Sequence, residues 1–320
     1  MEITVGTFNL NNLFSRFNFR ARVDAIPEEE RDVTVSFEFT ERGEYWFRTF
    51  RGRLIDPMPE EQRRRLAARI KAMDLDVLAV QEVEDVEALR DFNRFHLEGM
   101  YPHAVLVEGN DARFIDVAVL SKLPLGGATS WQHEVHPEDP SRPVFARDLL
   151  QVEVLNESRS RRLLTVFNNH FTSKFISFGE DPVAAAAAKT ARRRRQAETV
   201  ERIVDRQLRP DSPFVIVGDM NDTPDSEALA GLAQGSLGLV DGLADPEETR
   251  PARPDDPPPA TKAWTHRFKQ GGQPARYELF DQIWLSPSLG PKQTGAFIER
   301  RTLHGGDGSD HDPAWVVLSI

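Results

Sequence analysis

Residues 214–221 read FVIVGDMN, an apolar run that ends in an acidic residue and an amide. Such a run, without polar alternation, is typical of a strand that is buried on both faces. Three other segments have the same form: residues 3–9 (ITVGTFN), 76–82 (DVLAVQE) and 163–170 (LLTVFNNH). Each polar ending is therefore expected at the carboxyl end of a buried strand.

The remaining chain adds strand and helix patterns in mixed order. Strands are also predicted over residues 103–107, 116–121, 149–155, 281–285 and 315–320. Helical patterns cover residues 59–73, 86–96, 183–208 and 226–232. Because strands follow strands as well as helices, the order predicts an α/β fold with mixed sheets and helices outside them.

Length and composition favour one folded domain over residues 1–320, since 39% hydrophobic residues supply enough apolar material for a core. Two stretches leave the regular pattern: a charged insertion near residues 20–53 and a Pro-rich loop near residues 245–260. No apolar window approaches the ~20 residues of a membrane span, and no targeting segment is recognised. We expect a cytoplasmic protein that does not bind membranes, and a monomer is favoured.

The net charge of −11 argues against a polyanionic partner, because nucleic-acid binding usually depends on Lys and Arg that neutralise phosphates. Enzymes that hold a divalent cation nevertheless need acidic clusters, and a local basic patch can act within an acidic protein. Arginine clusters occur at residues 63–65, 159–162 and 192–195. For each cluster, a solvated helix face or loop is the commoner interpretation.

The polar strand ends predict a common site, because ligands of open α/β sheets bind beyond the carboxyl ends of the strands. Asn and Asp also end strands simply as turn residues, so it is the whole set that favours a site. The segment 305–313 (GGDGSDHDP) adds Asp310 and His311 on a glycine-rich loop. Asp281 begins a buried strand and needs a partner there, which predicts an Asp281–His311 pair.

Seven short motifs occur in order between residues 7 and 313: TFN (7–9), QEV (81–83), DVAVLS (116–121), NHF (169–171), GDMND (218–222), DQIWLS (281–286) and SDH (309–311). Together they resemble the endonuclease/exonuclease/phosphatase superfamily, which has the DNase I-like fold. The resemblance implies a four-layer α/β/β/α sandwich, in which two mixed β-sheets are flanked by helices.

The resemblance also implies a Mg²⁺ or Mn²⁺ ion, held by Glu82 and Asp310 with Asn9 beside it. Oxygen ligands suit these hard cations. Some members of the superfamily have an acidic residue two positions after the first Asn, where this chain has Asn11. We therefore expect one strong metal site.

Five further residues would carry the chemistry. By resemblance, Asp219 orients or deprotonates the attacking water and Asn221 holds a phosphate oxygen. His311, oriented by Asp281, stabilises charge on the phosphate or moves a proton, and His170 donates to the scissile phosphate. These roles match the chemistry, since hydrolysis of a phosphodiester builds negative charge on phosphate oxygens and needs an activated water.

Other residues have open interpretations. Asp116 either belongs to the site or only caps a turn or pairs with Arg113. Lys174 either meets a substrate phosphate or is an ordinary exposed lysine. A further hypothesis places Trp264, beside His266, in the substrate cleft as a platform on which a base stacks.

The sequence favours a metal-dependent phosphodiesterase, and specifically a nuclease that hydrolyses DNA or RNA. The nuclease is supported by the arginine clusters and by the sequences of the motifs, which resemble those of bacterial nuclease-like members of the superfamily. One alternative is a phosphoesterase for a small nucleotide, an inositol phosphate or a phospholipid head group, because fold does not select the substrate. A second alternative is an inactive binding module, which the presence of every principal site residue disfavours.

Overall fold

A computed structural model of the chain describes residues 1–15, 58–111, 113–176, 179–209, 211–250, 259–269, 271–302 and 307–320. The insertion predicted near residues 20–53 lies outside the described residues, as do residues 251–258 of the predicted Pro-rich loop. The assignment of one domain to residues 1–320 therefore stays a prediction. None of the helices in the described ranges has the length and apolar character needed to cross a membrane.

The strands in chain order are β1 (Glu2–Leu13), β2 (Val77–Val83), β3 (His103–Leu106), β4 (Asp116–Ser121), β5 (Leu125–Ser130), β6 (Val135–His136), β7 (Asp139–Pro143), β8 (Leu149–Leu155), β9 (Arg162–His170), β10 (Phe214–Asp219), β11 (Val240–Asp241), β12 (Glu247–Glu248), β13 (His266–Phe268), β14 (Arg276–Glu278), β15 (Asp281–Leu285), β16 (Gln293–Ile298) and β17 (Ala314–Ser319). The helices are α1 (Glu60–Met73), α2 (Val86–Phe95), α3 (Pro182–Gln207) and α4 (Ala230–Ala233). Short 3₁₀ turns occupy Glu227–Leu229 and Gly290–Lys292.

Among the described residues, two large mixed sheets carry the fold. The first has seven strands in the order β12-β16-β17-β1-β2-β4-β3, and the second has six in the order β11-β15-β10-β9-β8-β5. Near the middle of each sheet two strands run parallel: β1 with β2, and β9 with β10. Their carboxyl ends therefore lie side by side within each sheet.

The apolar side chains divide into three clusters that define four layers. The first lies between the two sheets and includes Val5, Val119, Val166 and Val217. The second packs α1 and α2 on the outer face of the first sheet, and the third packs α3 on the outer face of the second. The predicted α/β/β/α sandwich is confirmed.

The buried strands with continuous apolar runs lie within a residue or a few of their predicted bounds. Four strands of the two large sheets were not predicted. Two of them, β11 and β12, have only two residues each. The other two are β5, whose sequence LGGATS is largely exposed, and β16, whose sequence QTGAFI is only partly apolar. The predicted helix over residues 226–232 is instead a 3₁₀ turn followed by the single-turn helix α4. A segment of this length is too short to sustain an isolated helix.

Two local features hold the sheets in the alignment that the site needs. The Gln81 amide donates to Asn168 Oδ1 at 2.8 Å, and Asn168 in turn donates to the carbonyl oxygens of Val80 and Ala118 in the facing sheet. Gly218 has φ 135°, and a Cβ there would lie 1.9 Å from the carbonyl oxygen of Asn169. Only glycine lets β10 approach β9 this closely, and the next residue on β10 is Asp219.

Candidate active site

The polar ends of four central strands meet at one edge of the sandwich. Asn9 lies on β1, Glu82 on β2, His170 at the end of β9 and Asp219 at the end of β10. Asp219 pairs in register with His170 on one side and with Asp281 on the other. The two sheets therefore contribute to a single cluster of polar side chains.

The backbone departs from regular strand geometry where these side chains are presented. Glu82 has φ 62°, and the pairing register of β2 shifts between Gln81 and Val83. Asn11 and Asn12 also have positive φ angles, of 50° and 62°, where β1 shifts register against β2. Non-glycine residues adopt this region at a cost, and such strained positions concentrate at functional sites.

Asp219 is the centre of the cluster. Its Oδ2 accepts from Asn9 Nδ2 at 3.0 Å and lies 3.4 Å from His170 Nε2 and 3.9 Å from His311 Nε2. Its Oδ1 accepts from the backbone N–H of Asn221 at 2.9 Å. Burial raises the pKa of Asp219 to about 7, although the positive charge of His311 opposes the shift. A carboxyl in this state can accept a proton near neutral pH.

His311 and Asp281 form a short, buried pair. His311 Nδ1 lies 2.6 Å from Asp281 Oδ2, and Asp281 is fully buried at the start of β15. Burial alone would lower the pKa of His311, but the carboxylates of Asp281 and Asp219 raise it well above its ordinary value. The imidazole is therefore held as a cation in a fixed orientation, with its second nitrogen directed towards Asp219.

His170 has the opposite electrostatic state, although it lies in the same cluster. Its pKa is well below the ordinary value because of burial and the positive charges of Arg147 and His311. Its Nε2 lies 3.9 Å from Glu82 Oε1, and its buried Nδ1 has no hydrogen-bond partner in the described part of the chain. A neutral imidazole here can donate one hydrogen bond without adding charge.

Glu82 and Asp310 form the acidic side of the cluster. Burial raises the pKa of the Glu82 carboxyl, and the negative charge of Asp310 raises it further. Asp310 itself is exposed. Two carboxylates that repel each other at the rim of a cleft are a suitable oxygen donor set for a divalent cation, so these residues fit the expected metal.

The Asn9 side chain forms hydrogen bonds within the cluster. Its Oδ1 accepts the backbone N–H of Asn11 at 2.9 Å, while Nδ2 donates to Asp219 and, at 3.3 Å, to Glu82. In this arrangement Asn9 orients two acidic side chains. Its role as a ligand stays a prediction, as do the roles assigned to the other site residues.

Asn221 lies at the edge of the cluster and is buried. It has φ 51°, and its Nδ2 donates to the carbonyl oxygen of Phe171 at 3.1 Å. One of the two amide hydrogens is thereby used within the protein. The second hydrogen is the one that can contact a phosphate oxygen, as the sequence predicts.

Three residues near the site are absent from the predicted catalytic and metal-binding set, although His266 is considered for the substrate cleft together with Trp264. Arg147 is buried and donates to the carbonyl oxygen of Phe171 at 3.2 Å. Ser309 donates to the Asn9 carbonyl at 2.7 Å and accepts from the His311 N–H, so it joins β1 to the loop that carries His311. His266 stacks on Phe280 with ring centroids 5.0 Å apart, and its ligand atoms form a possible metal-binding group with those of Asp310 and His311.

The base-stacking hypothesis for Trp264 is wrong. The ring is 5% exposed, the Arg300 guanidinium covers it at 3.8 Å, and Tyr277 packs edge-on against it. The indole is thus covered by protein, so no base can stack there. Trp264 is a structural residue under the β13–β14 hairpin.

The open interpretations of Asp116 and Lys174 are also decided by their contacts. Asp116 caps a turn by accepting the Gly109 N–H at 2.9 Å, and Arg113 pairs with Asp111 at 2.8 Å instead. Lys174 Nζ lies 3.0 Å from Asp222 Oδ1 and 2.9 Å from Glu278 Oε1. Its charge is thus already balanced by two acids.

The arginine clusters mostly form ordinary ion pairs. Arg193 pairs with Asp222 in a buried position. The exposed or half-exposed pairs are Arg64 with Glu60, Arg65 with Glu61, Arg162 with Glu153 and Arg194 with Glu138. These pairs agree with the solvated-face interpretation for much of the positive charge. Arg192 differs, because its Nε donates to the Val144 carbonyl and no carboxylate among the described residues forms an ion pair with it.

Comparisons with known proteins give one family and many similar folds. The model described as "Endonuclease/Exonuclease/phosphatase family" matches residues 6–311. No curated protein matches the chain significantly.

Three similar solved structures illustrate the range of relatives. An endonuclease/exonuclease/phosphatase from Bacteroides vulgatus superposes with a TM-score of 0.60 at 14% identity, covering 100% of this chain and 99% of that one. TDP2 from D. rerio, complexed with a single-strand DNA product, gives 0.57 at 12% identity, with 100% and 99% covered. A mannosyl-6-phosphatase from Bacteroides thetaiotaomicron gives 0.54 at 13% identity, with 99% and 100% covered. At these identities the likeness concerns the fold.

Proposed function

Because the chain belongs to the endonuclease/exonuclease/phosphatase family, we propose that it is a divalent-metal-dependent phosphodiesterase, and specifically a nuclease that hydrolyses DNA or RNA. The observation that carries the proposal is the position of Asp219. Its carboxylate lies within 3.0–3.9 Å of an amide and two imidazoles, one of which is paired with a second buried carboxylate. This arrangement provides both a proton acceptor and donors for a phosphate.

Asp219 is the residue proposed to orient and deprotonate the attacking water. Its raised pKa makes it a competent base near neutral pH, and the Asn9 amide and the Asn221 N–H fix the two carboxylate oxygens. A proton taken from water is thus received by a group whose position is already set. Such preorganisation lowers the cost of reaching the transition state.

His311 and His170 are proposed to contact the phosphate in different protonation states. The cationic His311, held by Asp281, offsets negative charge that develops on a phosphate oxygen, or donates a proton to the leaving oxygen. The neutral His170 supplies a hydrogen bond, as does the remaining amide hydrogen of Asn221. Together these three side chains give the phosphate a defined orientation.

Glu82 and Asp310 are proposed to hold Mg²⁺ or Mn²⁺, and when bound the ion supplies Lewis-acid stabilisation of charge on the phosphate. The mutual repulsion of the two carboxylates supports this assignment. The nearby His266 also offers a nitrogen ligand. The two carboxylates suit both Mg²⁺ and Mn²⁺.

Two observations support nucleic acid as the substrate. Structurally similar TDP2 from D. rerio has been captured with single-strand DNA, and arginines line a cavity beside the candidate site of this chain. A monophosphate of a small molecule is the competing substrate, since a similar fold occurs in the mannosyl-6-phosphatase from Bacteroides thetaiotaomicron.

The test compares hydrolysis of bis(p-nitrophenyl) phosphate, p-nitrophenyl phosphate, and single- and double-stranded oligonucleotides, in Mg²⁺, Mn²⁺ or EDTA. The variants are Asp219→Ala and His311→Ala. Matched controls are Asp205→Ala, on the exposed face of α3, and His133→Ala, in an exposed turn. Losing a positioned base or acid typically costs about 10²–10⁴-fold in rate, so each site variant should lose at least that range.

Metal-dependent cleavage of oligonucleotides that only the site variants abolish is the expected result. Turnover restricted to p-nitrophenyl phosphate would replace the nuclease with a phosphomonoesterase. If every substrate failed while Mn²⁺ still raised the unfolding temperature, the chain would be a binding module and the proposal would be wrong.

A further inference from the structure

A cavity of about 380 Å³ lies beside the candidate active site. Its lining includes Asn110, Asp111, Arg142, Phe145 and Arg192. A smaller adjoining cavity shares Arg142 and Arg192 and adds Arg195. None of these residues belongs to the catalytic set proposed above.

One wall of the cavity is shared with the active site. Asp111 Oδ2, on the cavity side, lies 3.1 Å from Arg147 Nε. Arg147 donates to the Phe171 carbonyl, and the same carbonyl accepts from the Asn221 amide at 3.1 Å. The charge of Arg147 also lowers the pKa of Glu82 and His170. Arg147 thus connects a residue of the cavity lining, Asp111, to the backbone carbonyl that orients Asn221 in the site.

The cavity has more positive than negative charge. Arg142 Nε lies 2.7 Å from Asp139 Oδ2, and Arg195 Nη2 lies 3.8 Å from the same oxygen. Asp111 is already engaged by Arg113 and Arg147. In the described part of the chain no carboxylate forms an ion pair with Arg192. Three cavity arginines therefore share one available acid.

Arg192 shows the effect of this imbalance. Its Nε donates to the Val144 carbonyl at 3.3 Å, which anchors the side chain against the wall and leaves its two terminal amino groups for other partners. Burial, followed by the positive charges of Arg142, Arg147 and Arg195, lowers its pKa. An anion in the cavity would relieve this repulsion, and a fixed guanidinium fork matches the geometry of phosphate.

We infer that Arg142 and Arg192 bind a second phosphate of the substrate molecule, next to the phosphate that is hydrolysed. The inference rests on the proposed function, because it places the scissile phosphate at Asp219 and His311. The shared chemistry is a pair of neighbouring phosphates. A nucleic-acid strand and a small nucleotide such as ADP both supply it, and the experiment separates them.

The test measures binding and turnover separately in Arg142→Ala, Arg192→Ala and the double variant. Binding of a fluorescein-labelled single-stranded 10-mer is followed by anisotropy in EDTA, so that no cleavage occurs, and unlabelled ADP or inorganic phosphate is used as competitor. Turnover is measured on bis(p-nitrophenyl) phosphate, which has a single phosphate. Arg64→Ala is the matched control, since Arg64 is an exposed arginine on α1.

Each single variant should weaken oligonucleotide binding about tenfold, the usual effect of losing one charge-assisted hydrogen bond. In the double variant, the slope of log K against log salt should fall by about 0.7, as expected for one phosphate contact on a single strand. Turnover of bis(p-nitrophenyl) phosphate should stay within about twofold of wild type. Arg142 is 59% exposed, so its variant is expected to fold normally.

The outcomes separate the two proposals. Weaker binding of both the 10-mer and ADP would assign the cavity to any pair of neighbouring phosphates, and weaker binding of the 10-mer alone would assign it to a strand. Binding that depends on both arginines in a protein without turnover would keep the cavity assignment and reject the hydrolase. Unchanged binding in the double variant, no binding by wild type, or equal losses on bis(p-nitrophenyl) phosphate would overturn the inference.

Discussion

Replacing Asp116 with asparagine is expected to remove a large part of the pH dependence of folding. Asp116 is the first residue of β4 and is 1% exposed. Its Oδ1 accepts the Gly109 N–H, while its buried Oδ2 has no hydrogen-bond partner among the described residues. Burial, followed by the negative charges of Glu108, Asp111 and Asp148, raises its pKa to about 7. The folded protein therefore keeps a proton that the unfolded chain loses.

The sign and size of the effect follow from this shift. The pKa rises from 3.8 in the unfolded chain to about 7 in the folded protein, so the folded state binds more protons between these values. The contribution of Asp116 to the free energy of unfolding is therefore greatest at acid pH and falls as the pH rises towards 7. At about 1.4 kcal/mol per pKa unit, the wild type should lose about 3 kcal/mol between pH 5 and pH 8 through Asp116. Asparagine has no such proton to lose.

The assay is urea unfolding of wild type and Asp116→Asn at pH 5 and pH 8 in EDTA. A carboxyl with raised pKa that does not interact with Asp116, such as Asp219, acts in both proteins and cancels in the comparison. Asp148 repels Asp116, so the measured difference includes the interaction between these two groups. The variant should be close to wild type at pH 5 and more stable by about 3 kcal/mol at pH 8. Asp205→Asn, an exposed carboxyl on α3, is the control. An equal pH dependence in wild type and Asp116→Asn would refute the argument.

Three further predictions concern the site. Glu82→Gln removes a carboxylate that repels Asp310, so the metal-free variant should unfold at a higher temperature than the metal-free wild type. Calorimetry should also show that the variant loses most of the stabilisation that Mn²⁺ gives wild type. A full Mn²⁺-induced rise in its unfolding temperature would exclude Glu82 as a ligand. Gly218→Ala places a methyl group against the Asn169 carbonyl at a residue with positive φ. The free energy of unfolding in urea should fall by about 3 kcal/mol or more. The control Gly127→Ala, at an exposed position with ordinary contacts, should lower it by less than half as much. Ser309→Ala removes the bond that joins the His311 loop to the Asn9 carbonyl and the bond that the Ser309 hydroxyl accepts from the His311 N–H. Stability should fall by about 1–3 kcal/mol. The kcat on bis(p-nitrophenyl) phosphate should also fall and be partly restored in Ser309→Thr; an unchanged kcat would remove Ser309 as a positioning residue.

A site residue could be predicted from the sequence where its own strand sets its environment. The buried run before Asp219 fixes both the strand and the edge at which the carboxyl appears. Asp281 needed a partner because it starts a fully buried strand, and His311 lies in the position to supply it. In both cases local apolar patterning determines the burial, and burial determines the need for a partner.

The surroundings of a residue could not be predicted from the sequence where distant segments of the chain form them. Trp264 has polar neighbours in the chain, yet Arg300 covers its ring from 36 residues away. Arg147 lies two residues before a strand, a position without a motif, and only the packing of β8 and β9 brings it to the Phe171 carbonyl. Strand β5 contains two glycines and little apolar surface, so it depends on pairing with β8.

The bond between Ser309 and Asn9 joins residues 300 positions apart, and β17 lies beside β1 in the centre of its sheet. Contacts so distant in sequence close late, after the entropy of a long loop has been lost. During translation at about 5–20 residues per second, roughly 15–60 s separate the appearance of Asn9 from that of Ser309. Before β17 and the loop that precedes it have been synthesised, the ribosome-bound chain therefore lacks part of the candidate site, and hydrolysis is expected to begin only once β17 has paired with β1.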